Sequence, residues 1–419
     1  MSDIEETVLR KIAWRFLPLL VVAYIVNYLD RTSISVAALT MNHDLGFTGT
    51  QFGFAAGVFF VGYCLFGVPS NLALYKYGSR IWLTCIMVTW GLASAATAFV
   101  AGPKSFYAVR FFLGVAEAGF FPGVIYFLSC WFPNAQRARI LAWFMLGIPV
   151  SSLIGSPIAG LLLGMNGIAG LAGWKWMFIL VSVPAVLVGC ILAIVIVDTP
   201  EKAQWLSGEE RSVLGGMLKN EESEKRKTSF KATLLDPRVF ILSAIQFGFL
   251  TGSYGIGLWL PQIFKRQTLS NFHVSIISAV PYLFAMLGQI IWAAYSDKKD
   301  NKVGNVVISS LLGAFGLILS VQGHSLGIEV LGITLALIGI NAARAIFWAI
   351  PPRFLRGAAA AGGFALINTM GTIGGFVGPY MVGFLKDTYG SFSAGLWGMA
   401  VILILAAVMA ASLKLVRAN

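Results

Sequence analysis

The sequence predicts an all-α membrane protein of twelve transmembrane helices in two six-helix halves, and three observations lead there. Of its 419 residues 58% are hydrophobic and 11% charged, with a mean hydropathy of +0.80; that much apolar surface has to face lipid. Twelve apolar stretches each approach the roughly twenty residues a helix needs to cross a bilayer. Between Asp198 and Arg238 the composition turns abruptly polar, with eight acids and eight bases, which divides the chain into a first bundle over 1–197, a connector over 198–237 and a second bundle over 238–419.

The expected spans are 16–38, 52–74, 80–101, 105–128, 138–164 and 174–197 in the first half, then 238–264, 273–295, 303–322, 327–350, 358–384 and 392–415 in the second. Glycine (46 residues) and proline occur throughout them, which membrane helices accept because small residues allow close packing and neighbours re-satisfy freed backbone groups. No ten-residue segments alternate with period two, so a β-barrel is not expected. Residues 1–15 are charged and the first apolar run is long enough to span while carrying its own polar residues, so no cleavable leader is expected. The connector, around Glu221-Glu222-Ser223-Glu224-Lys225-Arg226-Lys227, reads as a solvated and partly helical strap.

Basic residues set the orientation. With both termini cytoplasmic, 22 of the 30 Lys and Arg lie on that side, five lie outside (Lys104, Lys175, Lys265, Arg266 and Lys386) and three sit within spans, as the positive-inside rule requires. The net charge of +12 is therefore topology, and no nucleic-acid partner is expected. Cys64, Cys85, Cys130 and Cys190 lie in or at the ends of apolar segments without metal-ligand spacing, so they are read as packing residues, with no disulfide and no metal site.

The halves share a faint internal repeat. Pro133 and Arg137 before Gly155, Pro157 and Gly160 correspond to Pro352 and Arg356 before Gly378, Pro379 and Gly383. Such symmetry is expected of transporters built from two related halves, with the substrate site at their interface near mid-membrane.

Ionisable groups at membrane depth are costly and point to function. Asp30 and Glu117 are the two acids deep within spans, accompanied by Arg31 and Arg110. At 1.5 Å per residue Arg31 lies ~21 Å up the first span and Arg110 ~8 Å down the fourth, similar levels in a core ~30 Å thick. Glu117 follows Arg110 by seven residues, so it shares that helix face about 10 Å deeper. A pair of arginines in a low-dielectric cavity grips a carboxylate bidentately, which makes Arg31 and Arg110 candidate substrate contacts. Asp30 and Glu117 are candidate proton-coupling groups, since burial and a neighbouring arginine act on a carboxyl in opposite directions. Structural ion pairing is the competing explanation of all four. Arg344, the third intramembrane cation, is read either as a contact for a second carboxylate or as an interfacial anchor toward the cytoplasm, the anchor being preferred.

The motifs Tyr28-Leu29-Asp30-Arg31, Gly67-Val68-Pro69-Ser70-Asn71, Arg110 with Glu117-Ala118-Gly119-Phe120-Phe121-Pro122-Gly123, and Trp131-Phe132-Pro133 with Arg137 together resemble the anion:cation symporter family of the major facilitator superfamily. The run Asp198-Thr199-Pro200-Glu201-Lys202-Ala203 is similar to its bacterial tartrate, sugar-acid and hydroxyphenylacetate permeases. One departure stands out: the loop Tyr75-Lys76-Tyr77-Gly78-Ser79-Arg80 has Tyr75 where the superfamily usually has an acid. The resemblance implies the major facilitator fold, an inner (plasma) membrane location, and a cavity lined by Tyr28, Tyr63, Trp348 and Asn368 besides the arginines.

The expected function is proton-coupled uptake of a small organic carboxylate by alternating access, with protons as the coupling ion, no other cofactor, and a monomer in the bilayer. Alternatives are an organic-anion antiporter or a non-transporting carboxylate receptor. An enzyme is not expected, because the three histidines fall near span ends and neither a metalloprotease motif nor a phosphate loop occurs.

Overall fold

A computed structural model describes residues 3–145, 147–222, 236–265, 268–299, 301–323, 325–351 and 358–413. Pro352, Arg356 and the most charged part of the connector, 223–235, lie outside the described residues. The described chain is helical: α1 (Asp3–Asp44), α2 (Gly49–Tyr77), α3 (Ser79–Ala96), α4 (Pro103–Glu117), α5 (Phe120–Trp131), α6 (Asn134–Met145), α7 (Gly147–Leu163), α8 (Gly173–Val195) and α9 (Gly208–Glu222), then α10 (Pro237–Phe264), α11 (Asn271–Lys299), α12 (Lys302–Gln322), α13 (Leu326–Phe347), α14 (Ala358–Tyr389) and α15 (Ser393–Ser412). Among the described residues eleven stretches are long and apolar enough to cross a membrane, and α14 stands where the sequence places the eleventh of its twelve spans. Lipid is the solvent of their outer faces: Val68 is 68% and Ile291 70% exposed. Cys85 and Cys190 are also exposed there, a correction to their reading as packing residues.

The expected fourth span is two helices. Pro122 lacks an N–H and its ring conflicts with the carbonyl four residues back, and the helix stops at Glu117 and resumes at Phe120. The α2–α3 turn is the single residue Gly78, at φ +86°. Asp198, at the end of the sixth span, accepts a hydrogen bond from the Arg80 amide (2.9 Å) and so caps α3. A carboxylate thus does serve this turn, although Tyr75 itself is exposed. In the connector, Ser207 and Glu210 form a reciprocal capping box, and Glu210 bonds Lys11 of α1 at 2.9 Å. The Ser207 amide and the Lys11 ammonium hold the Glu210 carboxyl below the usual carboxylate range.

The halves join at the face opposite the chain termini. One buried apolar cluster runs there through both, from Ile34, Phe52 and Trp174 to Trp259, Phe264 and Val274. The cluster nearer the termini, from Val8 through Trp131 to Leu214, draws its fully buried members from the first half and the connector. Glycines set the closeness of the joint. A Cβ on Gly383 of α14 would lie 2.2 Å from the Gly49 carbonyl of α2, and one on Gly160 of α7 would lie 2.6 Å from the Ser275 side chain of α11. These are corresponding glycines of the internal repeat, so each half contributes the same kind of contact.

Asp387, on α14, closes the seam. Its carboxylate accepts from the amides of Gly49 (2.9 Å) and Thr50 (2.6 Å) and from the Thr50 hydroxyl (2.6 Å), capping a helix of the other half where free amides and the helix dipole favour an anion. Opening this face would break all three bonds. Asp387→Ala is expected to shift the balance toward opening by about 1 kcal/mol, roughly fivefold, the cost of a lost cap. The measurement is maleimide labelling of a Ser156→Cys probe in a cysteine-free background, with an impermeant reagent on the face opposite the termini; an unchanged rate would show that the cap does not hold it shut.

Candidate functional site

The centre of the molecule is a cavity of ≈ 150 Å³ between the halves. Arg31, Arg110 and Tyr28 of the first half line it, together with Ser253, Tyr254, Asn341 and Arg344 of the second. Asp30 and Arg31 are consecutive on α1 and therefore point about 100° apart. Arg31 turns to the cavity. Asp30, 2% exposed, turns into the first bundle, where the Ser94 hydroxyl of α3 donates to it.

Arg31 is held on three sides. Its Nε (2.9 Å) and Nη2 (2.5 Å) both donate to Glu117 Oε1, and its Nη1 donates to the Tyr254 hydroxyl of α10 at 3.1 Å. Asn27, four residues before Arg31 and so on the same face of α1, donates to the same Glu117 oxygen. Glu117 Oε2 is buried and accepts no hydrogen bond. The Arg31 side chain keeps 17% of its surface accessible and Glu117 only 1%, so the cation forms the wall and the acid stands behind it. Rings complete the support: the Arg31 guanidinium lies 5.0 Å from the Tyr28 ring, 5.2 Å from Phe59 and 5.7 Å from Tyr63. Arg110 lies 5.0 Å from Phe59, with its buried Nε lacking a hydrogen-bond partner.

The sequence-predicted residues divide accordingly. Arg31, Arg110 and Tyr28 meet in the cavity, Glu117 and Asp30 stand behind its wall, and Tyr63 supports Arg31 from outside the lining. Arg344 lines the cavity, a correction to the preferred reading of an interfacial anchor. Trp348 and Asn368 are not brought to it: Trp348 packs edge-on against Phe347 and Phe364, and Asn368 is exposed. Sequence reasoning missed Asn27, Phe59, Ser94, Ser253 and Tyr254. Only Asn27 carried a signal, its spacing from Arg31.

Comparison with known proteins agrees with this architecture. The family model of the Major Facilitator Superfamily matches residues 20–379, and the chain belongs to that superfamily. It is 48% identical to a protein of Agrobacterium vitis named "Putative tartrate transporter", over 97% of this chain and 95% of the relative. It is 40% identical to the quinolone resistance transporter of Acinetobacter baumannii, over 96% and 94%, and 34% identical to the inner membrane transport protein RhmT of Escherichia coli, over 98% and 96%. Among solved structures, a bacterial homologue of the human lysosomal transporter Spinster, inward-facing and occupied, superposes with TM-score 0.76 at 17% identity, covering 94% of this chain and 95% of that one. The D-xylose–proton symporter superposes with TM-score 0.74 at 15% identity, over 95% and 97%. The chain is a multi-pass membrane transporter and not an enzyme.

Among the described residues, Tyr254 is the one second-half side chain bonded to Arg31, so its hydroxyl ties the halves at the site. Removing it in Tyr254→Phe keeps the ring and deletes a bond worth about 1 kcal/mol. The expected result is a three- to tenfold weaker apparent substrate affinity with thermal stability nearly unchanged, measured by uptake and by melting of the purified protein.

Proposed function

We propose that this transporter carries a small organic carboxylate together with protons, by alternating access. The observation that carries the reading is the sharing of Arg31: one guanidinium forms the cavity wall and is already occupied, from behind, by Glu117. A substrate carboxylate and the Glu117 carboxylate compete for the same Nε–Nη2 fork. A proton on Glu117, whose Oε2 has no other partner, releases the fork; the substrate then takes it. Proton and substrate therefore favour each other's binding, and the coupling is reciprocal.

Arg110 supplies a second cation on the same wall, and Asp30, within electrostatic reach of both arginines, is the second candidate proton carrier. Coupling answers an energetic need. Each negative charge brought into an inside-negative cell costs about 2.3 kcal/mol per 100 mV, and accompanying protons offset it. With both termini cytoplasmic, as the distribution of Lys and Arg indicates, closure at the face opposite the termini corresponds to an inward-facing state of a plasma-membrane carrier.

Uptake by proteoliposomes under an imposed pH gradient, over a panel of carboxylic acids, tests the proposal. Glu117→Gln is expected to keep substrate counterflow while losing gradient-driven accumulation; full accumulation in this variant would remove Glu117 from the coupling. Arg31→Lys keeps the charge and loses the fork, so apparent affinity is expected to fall by about one to two orders of magnitude, and near-normal affinity would contradict bidentate binding.

A further inference from the structure

The cavity's cations are unequally matched. Arg31 is paired with Glu117, and Arg110 has both Asp30 and Glu117 within electrostatic reach. Arg344 has no counterpart: among the described residues no carboxylate lies within 4 Å of it. Its Nη1 makes one long hydrogen bond, 3.4 Å, to the Ser253 hydroxyl, and its Nε is buried without a partner. A guanidinium in this state at membrane depth is costly unless an anion completes it.

Placement identifies the anion. Arg344 lines the same cavity as Arg31 but from the opposite half. The two are held by consecutive residues of α10, Arg31 by Tyr254 and Arg344 by Ser253, so they face one small space from two sides. Its volume, ≈ 150 Å³, is of the class that admits benzene in an engineered cavity, which points to a ligand of about six to ten non-hydrogen atoms. Gln289 and Asn341 add amides to the lining, suited to hydroxyl or carboxylate oxygens.

Resting on the carboxylate-carrier reading above, we infer that Arg344 is a specificity-determining residue that binds a second carboxylate, and that the preferred substrates are short dicarboxylates spanning Arg31 and Arg344. A monocarboxylate takes the Arg31 end and leaves Arg344 unpaired. The diacid is thus selected by completing a half-buried cation whose Nε has no partner, and its preferred length is set by the span between the two guanidinium groups.

The test is competition for uptake in proteoliposomes, with succinate and its monomethyl ester as a pair of nearly equal shape differing by one charge, and with malonate through adipate as a length series. In the unaltered protein succinate is expected to compete at least tenfold better than the monoester, with an optimum near four carbons. Arg344→Gln is expected to weaken succinate about 10- to 100-fold while leaving the monoester within about twofold, which also shows that the variant is folded; Arg344→Lys recovers part of the preference. An unchanged succinate-to-monoester ratio in Arg344→Gln, or equal loss of both, overturns the assignment. Transport of monocarboxylates without preference for diacids overturns this inference alone, whereas no carboxylate uptake by the unaltered protein overturns the carrier reading with it.

Discussion

The structure depends on one buried ion pair, Arg31 with Glu117. Burying two charges costs several kcal/mol each, and the cost is met only when geometry is good and the remaining donors and acceptors are satisfied. Three donors converge on a single glutamate oxygen, and three rings lie against the guanidinium. Other features of the first half serve this arrangement. The helical spacing of Asn27 and Arg31 brings both to Glu117, and the interruption before Pro122 makes Glu117 the last residue of α4. Such a pair is a poor stabiliser compared with apolar packing. On the proposed reading its value lies in having two states, since the proton that neutralises the acid also frees the base.

A second constraint is the closeness of the halves. On the proposed reading two halves that rock about a central site need facing backbones that can both meet and part, and small residues permit this by letting backbones approach closely. Gly160 and Gly383 occupy equivalent places in the internal repeat and equivalent places in the joint. The other paired glycines serve their own halves, Gly155 packing on Leu29 and Thr32 of α1 and Gly378 on Thr251 and Gly255 of α10. On the proposed reading Asp387 then adds direction, because opening this face would break its bonds to the α2 amides.

Much of this was legible in the residues. Span number, the two halves and the buried charges follow from the energetic cost of exposing polar groups to lipid, a constraint strong enough to read without partners. The repeat glycines and the spacing from Arg110 to Glu117 follow from helix geometry. What could not be read depends on which helix face meets which neighbour. Tyr254 and Ser253 look like any polar residues in an apolar span until α10 is seen beside α1. Asp198 looks like the edge of the connector until it caps α3, supplying the carboxylate whose usual place in the loop is held by Tyr75. Trp348 and Asn368, suggested by family resemblance alone, lie outside the cavity, and Arg344, near a helix end by sequence, lies inside it.

The charge inventory of the cavity joins these points. In the cavity wall the first-half arginines face two acids, and Arg31 already has its anion. Among the described residues no carboxylate lies within 4 Å of Arg344. On the proposed reading an empty carrier therefore presents a satisfied wall on one side and an unsatisfied cation on the other, so a dicarboxylate meets Arg344 without competition and Arg31 only when Glu117 is protonated. Engagement of the Arg31 end then requires the proton, whether or not the Arg344 end is filled. A monocarboxylate that takes the Arg31 fork leaves Arg344 unpaired, while a substrate held at both ends bridges the halves directly at the cavity. Strict coupling and selectivity for two carboxylates would then have one origin, the unequal matching of three arginines by two acids.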